Sequence, residues 1–200
     1  MRLDRLASTL IVGFALALPA MTAAAGDIEN GRNLVYTCMG CHGIENYKNA
    51  YPKYSVPKLG GQNAAYIVAA LQEYAAGDRW HPTMRGFASS LSAEDRADLA
   101  AWFAAAAPPH AGEPLAGTLP EKAEACTACH GKNGKGTTPD YPNIGGQHAD
   151  YLAQALNDYR LGKRKNPIMA PFAQQLTHDD INTIADYFSK QPGLREPKLE

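Results

Sequence analysis

A short motif occurs twice in this chain: Cys38-Met39-Gly40-Cys41-His42-Gly43 is answered by Cys126-Thr127-Ala128-Cys129-His130-Gly131. The agreement runs on well beyond the motif. Pro57-Lys58-Leu59-Gly60-Gly61-Gln62 matches Pro142-Asn143-Ile144-Gly145-Gly146-Gln147, and Tyr66, Leu71, Tyr74 and Gly77 match Tyr151, Leu156, Tyr159 and Gly162. Pro82, Met84, Phe87 and Leu91 then match Pro167, Met169, Phe172 and Leu176. Self-similarity of this extent means that the 200 residues hold two copies of one structural unit. The first copy carries three extra residues between Gly43 and Pro57. A Pro/Gly-rich stretch over 108–119 separates the copies, so we expect a first unit over 26–107, a connector, and a second unit over 120–200.

The periodicity inside each unit is helical, and no alternating strand pattern is sustained. Arg96, Leu99, Ala100 and Phe103, like Ile181, Ile184, Ala185 and Phe188, fall at i, i+3, i+4, i+7, which predicts a closing amphipathic helix in each copy. Ser92 and Thr177 precede Asp95 and Asp180 by three residues and read as N-caps, weaker than a box closed by Glu. Residues 64–76 and 149–161 predict a middle helix closed by Gly77 or Gly162. Residues 27–38 and the shorter 121–129 predict a first helix entering the motif. The fold class is therefore all-α, with about three helices per unit. So small a helical unit buries little surface by itself, and something besides side chains should fill it.

Cys-x-x-Cys-His is the attachment signal of c-type haem: two thiols one helical turn apart add to the two vinyl groups of a porphyrin, and the adjoining imidazole reaches the iron. Cys38, Cys41 and His42 would hold one haem c, and Cys126, Cys129 and His130 a second, with no cysteine left over. A thioredoxin-type redox pair would want a βαβ context that the pattern lacks. One zinc site made from both pairs would leave the two histidines unexplained. Disulfides between cysteines three apart would staple almost nothing.

The sixth iron ligand is expected from Met84 and Met169, because the repeat sets them in register, each two residues after a proline. Thioether ligation opposite histidine is characteristic of electron-carrying haems; core packing is the alternative use of such a methionine. Met39 lies within the motif, too close to its own iron to reach the opposite face, and Met21 precedes both units. His81, three residues before Met84, is the rival ligand. Ligating histidines commonly give their second ring nitrogen to a carbonyl, and Pro57 and Pro142 are placed to supply it, although each is also explicable as a turn proline. Gly60-Gly61 and Gly145-Gly146 fit backbone packed close to a porphyrin face. Tyr66, Tyr74, Tyr151 and Tyr159 are candidates to line the haem or bond its propionates, with plain aromatic packing the alternative.

Nineteen Lys and Arg against twenty Asp and Glu give a formal charge of −1, and no basic run is dense enough to follow a phosphate backbone, so nucleic-acid binding is disfavoured. Residues 1–25 have the layout of a cleaved secretory signal: Arg2 and Arg5, an apolar run from Leu6 to Leu18, then Ala23-Ala24-Ala25. The run is shorter than the roughly 20 residues of a membrane-crossing helix, so an uncleaved anchor is the weaker alternative. The processed chain should be an exported, soluble protein. Lys163, Arg164 and Lys165 form a basic cluster that would dock an acidic partner.

With both Cys-x-x-Cys-His motifs, both Gly-Gly-Gln turns, the segment Asn166-Pro167-Ile168-Met169-Ala170-Pro171-Phe172 and the Pro-rich hinge, the chain resembles the dihaem cytochrome c4 family, tandem class I cytochromes c of the periplasm. The second unit resembles it more closely than the first, where Asp78-Arg79-Trp80-His81-Pro82-Thr83-Met84 replaces the basic pattern at 162–165 and the loop after His42 is longer. The resemblance implies a carrier of single electrons, with no substrate of its own, from a quinol-oxidising complex or a dehydrogenase to a terminal oxidase. Contact with membrane complexes would be peripheral at most. Other readings are the electron-accepting subunit of a periplasmic dehydrogenase and, more remotely, a dihaem peroxidase or thiosulfate-oxidising enzyme.

Overall fold

The computed structural model describes residues 26–51, 53–107 and 115–199; the leader and most of the connector lie outside them. Among the described residues there is no strand, only three isolated β-bridges. The first unit begins with α1 (Ile28–Leu34), whose Asp27 cap accepts the N–H groups of Glu29 and Asn30. It continues at once into α2 (Tyr36–His42). The single first helix expected from the periodicity is thus two, broken at Val35, which is fully buried in the core. After a long loop come α3 (Ala64–Ala76), α4 (Pro82–Ser90) and α5 (Ala93–Ala105).

The second unit repeats the order in shortened form. A 3-10 turn over Glu121–Cys126 leads into α6 (Thr127–His130), followed by α7 (Ala149–Arg160), α8 (Met169–Gln174) and α9 (His178–Ser189). Gly77 closes α3 at φ 84°, a left-handed conformation that side chains resist. Ser92 and Thr177 make complete capping boxes with Asp95 and Asp180, stronger starts for α5 and α9 than the sequence promised, because aspartate reaches the cap N–H as glutamate would. The methionine segments were expected as loops and are helices, α4 and α8. Pro82 supplies the favourable first position of α4, His81 caps that helix, and Asn166 accepts the Met169 N–H at the start of α8.

Each unit has its own core. In the first, Val35, Ile67, Leu99, Ala100, Trp102 and Phe103 come together where α5 packs on α1 and α3. In the second, Ala123, Leu152, Ile184, Ala185, Tyr187 and Phe188 do the same where α9 meets α7. Adjacent rings cross edge to face in both, Trp102 with Phe103 and Tyr187 with Phe188, at 5.1 Å between centroids. The C-terminal tail joins the units: the Leu194 N–H donates to the Gly145 carbonyl at 2.8 Å, and Arg195 exchanges both main-chain hydrogen bonds with Gly60.

Candidate haem sites and the seam between them

Cys38 and Cys41 stand one turn apart on α2, while Cys126 ends the 3-10 turn and Cys129 lies on α6. All four are free thiols, so neither pair forms a disulfide. Burial raises the pKa of Cys38 and of Cys126. Among the described residues no group of three or more His, Cys, Asp and Glu side chains gathers as a metal cluster would need, and the four thiols do not converge on one zinc.

The histidines that follow are buried, and each is held in one way. His42 Nδ1 lies 2.8 Å from the Pro57 carbonyl and His130 Nδ1 lies 3.0 Å from that of Pro142. Donation from Nδ1 leaves the Nε2 lone pair as the one available to a metal. Burial pushes both imidazoles below the usual histidine range, against the opposite pull of the proline carbonyls, so both are neutral as ligation requires. Two unpaired thiols and a neutral, oriented imidazole beside them fit a covalently attached haem, and the fit occurs twice.

Met84 is the third residue of α4 and Met169 the first of α8, and both are partly buried. Asn166 Oδ1 accepts the N–H of Ile168 at 3.0 Å and of Met169 at 2.9 Å. His81 stands at the equivalent place in the first unit, and its Nδ1 accepts the Met84 N–H at 3.3 Å. The rival ligand is therefore a helix cap, engaged through one ring nitrogen and buried edge-on to Tyr54 and Tyr74.

Little in the sequence signals how the two copies meet. Arg79 and Arg164, equivalent in the repeat, form an antiparallel β-bridge with each other. The Trp80 N–H donates to the Lys163 carbonyl at 3.2 Å, and the Lys165 N–H to that of Asp78 at 2.8 Å. Gln147 accepts the Lys58 N–H and donates to the Lys58 carbonyl, both at 3.0 Å, while Gln62 does the same to Asn143, both at 2.8 Å. Every one of these contacts has its counterpart under exchange of the copies, so the seam has a local pseudo-two-fold axis.

The guanidiniums cross that axis. Arg79 donates to Tyr151 at 2.5 Å and Arg164 donates to Tyr66 at 2.8 Å. Arg79 also lies 4.5 Å over the Tyr74 ring, and Arg164 4.5 Å over that of Tyr159. Both arginines are buried, and among the described residues no carboxylate is bonded to either. Burial would raise the Tyr66 phenol, yet Arg164 and Arg79 overcome this and bring it down to about 8. Burial prevails for the Tyr74, Tyr151 and Tyr159 phenols, which are all raised, so the lowering is particular to Tyr66. The four tyrosines expected at the haem are gathered around these two cations. One signal was available in the sequence, since between the Gly77/Gly162 and Pro82/Pro167 matches, arginine is kept at 79 and 164.

Three features noted in the sequence take their place at the seam. The paired glycines permit a close approach of this chain's own backbone. A Cβ on Gly60 would lie 2.9 Å from the Arg195 carbonyl, and one on Gly145 2.8 Å from that of Pro192. Of the basic cluster at 163–165, Arg164 is buried, while Lys163 is exposed and Lys165 is exposed too, pairing with Asp78 at 2.9 Å. The longer first loop is a clamp. Ser55 donates to Asp150 Oδ2 from its N–H at 3.1 Å and its hydroxyl at 2.9 Å, and Lys48 joins at 3.2 Å.

The family model described as cytochrome c matches residues 28–106 and 121–191. A cytochrome c4 of Azotobacter vinelandii is 36% identical over 197 residues, covering 86% of this chain and 92% of that protein. A thiosulfate dehydrogenase electron acceptor of Stutzerimonas stutzeri is 31% identical over 202 residues, covering 90% of this chain and 93% of that protein. Among solved structures, reduced recombinant cytochrome c4 from Pseudomonas stutzeri superposes with a TM-score of 0.64 at 31% identity, over 86% of this chain and 100% of that one.

Proposed function

The chain belongs to the cytochrome c family, among the tandem cytochromes c4, and from that premise we propose that it carries single electrons in the periplasm, from a quinol-oxidising complex or a dehydrogenase to an acceptor such as a terminal oxidase. It is a dihaem electron-transfer cytochrome with one covalently bound haem c in each unit. When bound, haem supplies an iron that changes oxidation state by one electron.

In this reading Cys38 and Cys41 hold the first haem and Cys126 and Cys129 the second, through thioether bonds. His42 and His130 would offer Nε2 to the irons, and Met84 and Met169 would supply the other protein ligands. Pro57 and Pro142 fix the imidazoles and keep the proton on Nδ1. Arg79 and Arg164, buried cations with no carboxylate bonded to either among the described residues, would suit the carboxylates that haem carries. With a histidine and a methionine assigned to each iron, the sites would suit electron carriage rather than bond-making.

The observation that carries this reading is the paired contact of His42 with Pro57 and His130 with Pro142. Residues 1–25 would be removed on export, and among the described residues no helix is long and apolar enough to cross a membrane. Redox titration of the full chain with Met84→Ala and Met169→Ala, made one at a time, tests the ligand set. Each should lower one of the two potentials and remove its share of the far-red band of methionine-ligated ferric haem. Two unchanged titrations would overturn it. The relationship to a thiosulfate dehydrogenase electron acceptor favours a second reading, a dehydrogenase's dedicated acceptor. Co-purification of a dehydrogenase with the native protein separates the two.

A further inference from the structure

The two units fasten their methionine helices differently. In the second, Asn166 Oδ1 takes both the Ile168 and the Met169 N–H, at 3.0 and 2.9 Å, so the start of α8 is held by a residue of its own segment. In the first, His81 replaces that asparagine and makes one bond, Nδ1 to the Met84 N–H at 3.3 Å. The His81 ring is 8% exposed and lies edge-on to Tyr54 at 6.3 Å and to Tyr74 at 6.4 Å. Tyr54 packs in turn on Tyr151 of the second unit at 6.2 Å, and Tyr151 accepts from Arg79. His81 thus has one edge in the cap of α4 and the rest of its ring in the aromatic packing of the seam.

We propose that His81 is the positioning residue for the sixth ligand of the first haem, tying Met84 to the aromatic packing of the seam, whereas Met169 is held by Asn166, a side chain outside that packing. The inference rests on the reading that Met84 ligates iron. A carboxamide can cap a helix but cannot fill the space between two tyrosine rings. The substitution at 81 therefore exchanges a local fastening for one that includes the other unit. The consequence is an asymmetry, in which loosening the seam weakens Met84 on its iron and leaves Met169 in place.

The test is the affinity of the oxidised, fully haem-loaded chain for added imidazole, which competes with methionine for the sixth position. The parent is compared with His81→Ala, His81→Asn, Tyr151→Ala and Met84→Ala. Loss of an N-cap corresponds to about a fivefold change in an equilibrium constant. His81→Ala should bind imidazole about fivefold more tightly at one haem, with loss of that haem's share of the far-red band, and the other haem should not change. His81→Asn should restore the cap and hold that band. Tyr151→Ala, which leaves position 81 intact, should tighten imidazole binding at the same haem. Parent-like affinity in both His81→Ala and Tyr151→Ala, or equal weakening at the two haems, would overturn the proposal. Retention of both far-red contributions in Met84→Ala would instead overturn the ligand assignment beneath it.

Discussion

Arg79 and Arg164 occupy the same place in the two copies and face each other across the seam, each guanidinium reaching the tyrosine of the opposite copy: Arg79 to Tyr151, Arg164 to Tyr66. The segment that departs from the second unit's basic pattern, 78–84 against 163–169, is also where the copies touch. Asp78 in one copy and Lys165 in the other make an ion pair, whereas the equivalent positions hold Lys163 and Trp80 and make none. Divergence here is complementarity.

Replacing either Tyr66 or Tyr151 by Phe leaves a buried guanidinium N–H without its acceptor. Each change should cost about 1–3 kcal/mol of stability, the usual penalty for stranding a buried polar group. Arg79 also reaches Tyr66, at 3.4 Å, so the two changes share a partner. The double variant should depart from additivity by at least about 0.5 kcal/mol. Denaturant unfolding of the four members of the cycle measures this, and strict additivity would show that the two hydroxyls act independently.

Gln62 and Gln147 bracket main chain of the opposite copy and are themselves buried. Gln147→Ala strands both the N–H and the carbonyl of Lys58, and Gln62→Ala does the same to Asn143. Destabilisation of about 1–3 kcal/mol is expected for each. Because the bonds cross the seam, proteolysis in the 108–119 connector should quicken alongside. Thermal scans with timed digestion check both.

Asp150 links the extra loop of the first unit to the second unit and sets the direction of an acid response. Burial would raise its pKa, but the hydrogen bonds from Ser55 and Lys48 prevail and hold it below the usual carboxylate range. A carboxyl depressed in the folded state adds stability above its unfolded pKa of about 3.9, and that stability is lost as pH falls through the folded value. The clamp should therefore open on acidification below about pH 4. Asp150→Asn should remove that component of the acid response, as read by small-angle scattering across the transition; an identical profile would exclude the clamp as its source.

Cys126→Ala combined with Cys129→Ala should abolish attachment in the second unit alone, because each unit builds its core from its own helices. Iron analysis and the pyridine haemochrome spectrum should show one haem per chain in place of two. Loss of both would mean that the first unit needs the second to mature.

The parts legible in the sequence are those set by near neighbours. The Cys-x-x-Cys-His pairs, the capping residues Ser92 and Thr177, and the apolar stripe from Ile181 to Phe188 each carry their signal within one or two helical turns. The seam carried no such signal, since Gln62 finds Asn143 and Ser55 finds Asp150 only after both units have folded. Residues 78–84 looked like a departure from the pattern because pairwise matching rewards identity, while an interface rewards fit. The shortness of α8, six residues, hid it from periodicity, which needs several turns to show. At Gly60 and Gly145 a close approach was foreseen, but its partner, the tail at 192–195, lies too far along the chain for local reading.

A surface with a two-fold axis of its own is complementary to copies of itself, and the seam is built this way. Two halves from different molecules present to each other much the same bonds as two halves of one molecule. What favours the internal pairing is the covalent connector, which keeps the halves at an effective concentration of the order of millimolar. Below that concentration the chain closes on itself. Well above it, or with the connector drawn too short to let the halves meet, the same bonds would join neighbours into reciprocal dimers.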